Sequence, residues 1–197
     1  ADELDDRTTQ AEARSGLGID PAQRVIGVLP GSRHGEVSRL IQTFVPAVEL
    51  LAAQSPGVLA VVPVAHPSLR PLIEMHCVDR DGLRWMLLDG QSREAMQAAD
   101  VLLLASGTVT LEALLLGRPM VVAYRVAPLT AWLLRGLGLL KISHVSLPNL
   151  LSSQPVVPEL LQQAATPEAV SGELLNLWRD PAARHAQTRH FSAVRDL

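Results

Sequence analysis

The chain has 197 residues, enough for one sizeable domain with appended helices. Apolar residues make up 48% and charged residues 19%, which excludes a disordered chain, and aromatics at 3% leave the core to Leu, Val and Ala. A net charge of −3 argues against a nucleic-acid partner, and the single Cys77 excludes an internal disulfide or a cysteine-based zinc cage and fits a reducing, cytoplasmic compartment.

The opening segment reads as a polar linker carrying a short helix, stopped by Gly16 and Gly18, with Pro21 at the exit. It begins without methionine, as a piece of something longer does, and no signal peptide is expected before the first strand. Val25–Leu29 is a compact apolar run of the kind that buried parallel strands show. From Val37 the apolar positions fall at 37, 40, 41, 44, 45, 48, 51 and 52, a helical stripe that Pro46 is expected to kink and Ser55-Pro56-Gly57 to end. The pattern repeats with a strand at Val58–Val64, a helix at Leu69–Cys77, a strand at Leu83–Leu88 and a helix at Arg93–Ala99. Asp100 to Ser106 is the most strand-like run in the chain. It passes through a Ser-Gly turn into the helical stretch "TVTLEALLLG", closed by Gly117, and Pro119 to Tyr124 is the next strand.

Strands alternating with helices predict an α/β fold, a doubly wound parallel sheet of Rossmann-like type. After Pro128 the alternation stops. Two late helices are predicted where Thr166-Pro167-Glu168 and Asp180-Pro181 each set a capping residue before a proline. The expected organisation is a linker and short helix over 1–24, an α/β domain over 25–165 and carboxyl-terminal helices over 166–197. No charge-free run approaches membrane-spanning length.

Two loops suit an anion. Pro30-Gly31-Ser32-Arg33 follows a buried strand and opens a helix, so backbone N–H groups and a helix N-terminus converge there, with the planar fork of Arg33 beside them. It meets neither the Gly-Lys-Ser/Thr ending of a P-loop nor G-x-G-x-x-G, and on its own a plain turn with an exposed Arg explains it equally well. Ser106-Gly107-Thr108-Val109-Thr110-Leu111-Glu112 also opens a helix from the end of a strand, where open α/β sheets place ligands. Simple capping by Thr108 and Glu112 is the plainer reading. Two such loops in one sheet favour a shared diphosphate site.

Other features carry less. Asp79-Arg80-Asp81 has the D-x-D form of metal-dependent sugar transferases, yet it sits in a polar turn with no paired carboxylate loop, and a solvated turn is the better reading. The histidines His34, His66, His76, His144, His185 and His190 show no compact metal spacing. Leu129 to Ile142 is unusually apolar, and burial within protein is favoured for it over a membrane surface.

Taken together, Pro30-Gly31-Ser32-Arg33, "LLDGQSREAMQAAD", "ASGTVTLEALLLGRPMVVAYR" and "SLPNLL" resemble the carboxyl-terminal half of the lipid-A-disaccharide synthase family, over nearly the whole chain. The resemblance implies a two-domain glycosyltransferase-B architecture in which this half holds a UDP-diacylglucosamine donor. The implied reaction moves the diacylglucosamine to the 6-hydroxyl of diacylglucosamine 1-phosphate, giving a β-linked disaccharide and UDP, with no metal or cofactor. It also implies a lipid acceptor, the inner-membrane surface and a homodimer as partners of the full-length protein.

Carried over by position, Gly31, Ser32 and Arg33 meet the diphosphate, and the backbone around Asp89 and Gly90 borders the uracil. Ser106, Gly107, Thr108 and Thr110 sit at the diphosphate helix, Glu112 takes the ribose hydroxyls, and Asn149 of "SLPNLL" contacts donor or product. The general base belongs to the amino-terminal half, so this chain is expected to bind donor without turnover. A UDP-sugar 2-epimerase and a non-catalytic nucleotide-sugar-binding module are the alternatives on the same fold, and "SLPNLL" favours the synthase.

Overall fold

The computed structural model describes residues 9–125, 146–150, 152 and 155–195. Helix α1 (Gln10–Gly16) starts at a capping box between Thr9 and Glu12. Six strands follow among the described residues: β1 (Arg24–Leu29), β2 (Val58–Val64), β3 (Leu83–Asp89), β4 (Val101–Leu104), β5 (Met120–Tyr124) and β6 (Glu159–Leu161). All five pairings are parallel, in the order β3-β2-β1-β4-β5-β6. This is the doubly wound sheet that the alternation predicts.

Between the strands lie α2 (His34–Gln54), a 3-10 turn at Pro67–Leu69 running into α3 (Arg70–Glu74), α4 (Ser92–Ala98), α5 (Val109–Leu115) and α6 (Leu147–Leu150). Two longer helices close the chain, α7 (Pro167–Arg179) and α8 (Pro181–Arg195). The Thr166 side chain caps α7 by accepting from the Ala169 N–H.

Period-two alternation sorts the strand residues between two cores. On one face Ile26, Val28, Ala60, Val62, Leu103 and Val121 pack with Leu40, Phe44, Val48 and Leu51 of α2 and Leu174 and Trp178 of α7. On the other, Val25, Leu59, Val61, Leu102 and Val122 pack with Ala95 and Met96 of α4, Leu114 of α5 and Phe191 of α8. Both faces are covered, which is why β2 and β4 are apolar and buried along their whole length.

Two expectations need correction. The alternation does not stop after Pro128, because Glu159–Leu161 adds a sixth parallel strand beside β5. Three half-buried residues are too short a run to show a period. The helix expected over Leu69–Cys77 is a 3-10 turn followed by only five α-helical residues, in a stretch held by Pro67 and Pro71. Pro46 lies inside α2, which runs on to the expected stop at Ser55. Beneath the opposite end of the sheet, buried Arg14 of α1 donates to the Ala98 carbonyl and pairs with Asp100 at 3.0 Å, and Asp100 accepts from the Val25 N–H.

Candidate functional site

The strand order reverses between β1 and β4, the point at which an open α/β sheet leaves a crevice beyond its carboxyl edge. Leu29 and Leu104 are partners in register, and the Ala105 N–H donates to the Leu29 carbonyl at 2.9 Å. The loops after these two strands therefore leave side by side. Each turns on a glycine in a conformation that L side chains rarely adopt, Gly31 at φ +110° and Gly107 at φ +134°. The first loop runs into the N-terminus of α2, where Arg33 occupies the cap position without a side-chain cap. At the start of that 21-residue helix the Glu36 and Val37 N–H groups donate to the Arg33 carbonyl, which leaves those of His34 and Gly35 as the open N-terminal donors.

A cleft of about 430 Å³ opens there, within the range of small-ligand sites. Of the residues singled out in the sequence, Gly31, Ser32, Arg33, Gly90, Ser106, Gly107, Thr108 and Glu112 line it. Arg33 is exposed, and no described residue pairs with its guanidinium. The lining also includes residues that sequence reasoning missed: Glu36 of α2, Pro63 and Ala65 at the end of β2, and Ser92 opening α4. Glu36 stands three residues after Arg33, one helical turn on, which is the signal that places it beside the loop.

Three of the singled-out residues lie outside the lining. Asp89 ends β3 and pairs with Arg70 at 3.0 Å, and Arg70 also bonds Glu74 at 2.7 Å. Those two hydrogen bonds raise the Arg70 pKa further above its ordinary value. Thr110 is fully buried. Its hydroxyl donates to the Gly107 carbonyl at 2.8 Å and accepts from the Leu147 N–H at 3.4 Å, so it braces the second loop from behind.

Asn149 is 4% exposed, and its amide is spent inside the protein. Oδ1 accepts from the N–H groups of Val156 and Val157 at 2.7 and 2.9 Å, while Nδ2 donates to the Val157 carbonyl at 2.9 Å and to Glu159 at 2.8 Å. Glu159 also accepts from the N–H and the hydroxyl of Ser146. A buried polar network thus ties α6 to β6, and through Thr110 to the Gly107 loop.

Elsewhere, the Asp79-Arg80-Asp81 turn is exposed and spent on local structure, since Asp79 accepts from the Trp85 N–H and Arg80 pairs with Glu49. Among the described residues no three His, Cys, Asp or Glu side chains converge to hold a metal ion. Burial first, and the charge of Glu49 second, push the Cys77 thiol up to about 12. No described helix is long and apolar enough to cross a membrane, and Leu129–Ile142 lies outside the described residues.

The profile of the family described as "Lipid-A-disaccharide synthetase" matches residues 1–196. The lipid-A-disaccharide synthase of Pseudomonas savastanoi pv. phaseolicola is 50% identical over 194 residues, which cover 98% of this chain and 50% of that one. The synthase of Xanthomonas axonopodis pv. citri is 44% identical over 208 residues, covering 99% and 47%. The chain spans about half the length of the curated relatives it matches. Among solved structures, the C-terminal CMP-Kdo binding domain of WaaA from Acinetobacter baumannii aligns with a TM-score of 0.61 at 12% identity, covering 95% of this chain and 96% of that domain. The UDP-GlcNAc 2-epimerase from Neisseria meningitidis bound to UDP-GlcNAc aligns with a TM-score of 0.62 at 14% identity, covering 95% and 48%. At such identities the two structures speak to the fold alone.

Proposed function

The chain belongs to the lipid-A-disaccharide synthetase family, and on that premise we propose that it is the donor-binding half of an inverting glycosyltransferase of lipid A biosynthesis. The full reaction in this reading transfers a 2,3-diacylglucosamine from UDP to the 6-hydroxyl of 2,3-diacylglucosamine 1-phosphate. The observation that carries it is the cleft at the strand-order reversal, where both glycine turns meet an unpaired arginine and the open end of a long helix. That combination suits a diphosphate.

In this reading Gly31, Ser32 and Arg33 from one side, and Ser106, Gly107 and Thr108 from the other, hold the diphosphate. As the glycosidic bond to phosphate breaks, negative charge grows on the leaving oxygen. Fixed N–H dipoles and the Arg33 guanidinium offset it without reorganising. Gly90 borders the uracil, and Glu112 accepts from the ribose hydroxyls. Thr110 acts by fixing the Gly107 turn. Asn149, whose amide bonds are all internal, contributes by holding α6 against β6 rather than by touching the nucleotide. The general base, the lipid acceptor, the inner-membrane surface and a homodimer belong to the full-length protein in this account. The 2-epimerase alternative has only fold likeness on its side, whereas the synthase relatives are 44–50% identical.

A thermal-shift comparison tests the reading. UDP at a hundred times its dissociation constant stabilises the folded chain by about 2.7 kcal/mol. For a chain of this size that is about 5–10 °C in the unfolding midpoint. UDP is expected to give this shift where ATP and NAD give none. A flat response to UDP in a folded sample overturns the reading.

A further inference from the structure

The cleft holds a carboxylate that a diphosphate has no use for. Glu36, in the first turn of α2, lines the cleft together with Gly31 and Arg33. Its side chain turns back over the loop: a Cβ built on Gly31 would overlap the Glu36 carboxylate. None of the hydrogen bonds or ion pairs among the described residues engages it. An acidic residue in a first helical turn stabilises the helix dipole wherever it points, so the dipole does not explain why this one lies against the phosphate loop. A carboxylate there repels a bare diphosphate. It is favourable only when the bound ligand offers neutral donors within its reach.

On the reading of the cleft as a UDP-sugar site, we propose that Glu36 accepts hydrogen bonds from hydroxyl groups of the donor's sugar, and so selects the nucleotide sugar over the free nucleotide. Glu112, across the cleft on α5, is left to the ribose in this arrangement. The same carboxylate then works in opposite senses before and after transfer. While the sugar is attached, its hydroxyls neutralise the position of Glu36 by hydrogen bonding. Once the glycosidic bond has broken, the sugar hydroxyls depart and the terminal phosphate gains charge, so Glu36 faces a like charge and favours release of UDP. Specificity for the intact donor and expulsion of the product come from one side chain.

The test compares the 197-residue chain with its Glu36→Ala and Glu36→Gln variants by calorimetric titration, using UDP and UDP-N-acetylglucosamine as probes. Glu36→Ala is expected to weaken UDP-N-acetylglucosamine about tenfold while UDP binds as well as before or up to severalfold tighter. Glu36→Gln retains a carbonyl acceptor without the charge. It is expected to keep most of the nucleotide-sugar affinity and to tighten UDP, which a purely structural role for the residue would not do. Equal changes for the two ligands in Glu36→Ala, or no change for either in both variants, overturn the assignment of Glu36 and leave the UDP-sugar site standing. Failure of the unsubstituted chain to bind either ligand overturns the site itself, and this assignment with it.

Discussion

Arg33 is the residue on which the diphosphate reading depends most visibly. It stands at the mouth of the cleft, unpaired with any described residue, at the N-terminus of α2. Arg33→Ala is expected to cost roughly 1.5–3 kcal/mol of UDP affinity, about ten- to more than a hundredfold, with little change in stability because the side chain is exposed. Calorimetric titration of the variant measures this, and unchanged affinity returns Arg33 to an ordinary surface residue. Cys77 makes a different prediction. Burial holds its thiol up to about 12, against 9.0 for the free group. Between those values the unfolded chain has released the proton that the folded chain keeps, so folding stability falls as pH rises from about 9 towards 12. Urea unfolding across that range should show the fall, and Cys77→Ala should flatten it; an unchanged slope in the variant contradicts the account.

Site legibility at this scale followed residue type. Glycine turns and an arginine are readable because the chemistry lies in the backbone conformation or in the charge itself. Asn149 was not readable in the same way: its position in a motif gives no hint that four hydrogen bonds tie its amide to residues up to ten positions further along the chain. By residue type, Glu36 carries no distinguishing signal in the sequence, because an acidic residue in a first helical turn is common.

At the scale of elements, the alternation of apolar runs with helical stripes made five strands and their intervening helices legible, together with the capped starts of α7 and α8. β6 escaped because its three residues are half-buried and pair through backbone groups, leaving no hydrophobic pattern to read. Yet β6 bears on the site through the network that runs from Glu159 to Asn149 and from Leu147 to Thr110 and the Gly107 carbonyl. Thr110→Val preserves shape and removes both hydroxyl bonds. It is expected to destabilise the fold by about 1–2 kcal/mol, lowering the midpoint by about 2–8 °C, and to weaken UDP by releasing the Gly107 turn. Thr110→Ser restores both properties if the hydroxyl is what matters. Thermal unfolding and UDP titration of the pair decide it, and a valine variant with unaltered stability and affinity contradicts the bracing role.

At the scale of the whole molecule, the sheet joins binding elements that lie far apart in the chain. The loop at Gly31, the turn at Gly90 and the loop at Gly107 come together only because β3, β2, β1 and β4 lie side by side and end at one edge. The doubly wound fold was legible from the periodicity, but that edge-on convergence was legible only through the general rule for such sheets. Every residue of the lining lies within 29–112, in a chain that spans about half the length of its relatives. On the proposed reading, donor binding by this chain is separable from turnover. The most direct measurement of that claim is an amide-resolved NMR titration of the chain with UDP. Saturable shifts at Gly31, Ser32, Arg33, Gly90, Gly107 and Thr108, with the amides of Asp79 and Asp81 unmoved, are the predicted result. Saturable shifts that cluster elsewhere, or none at all, would contradict it.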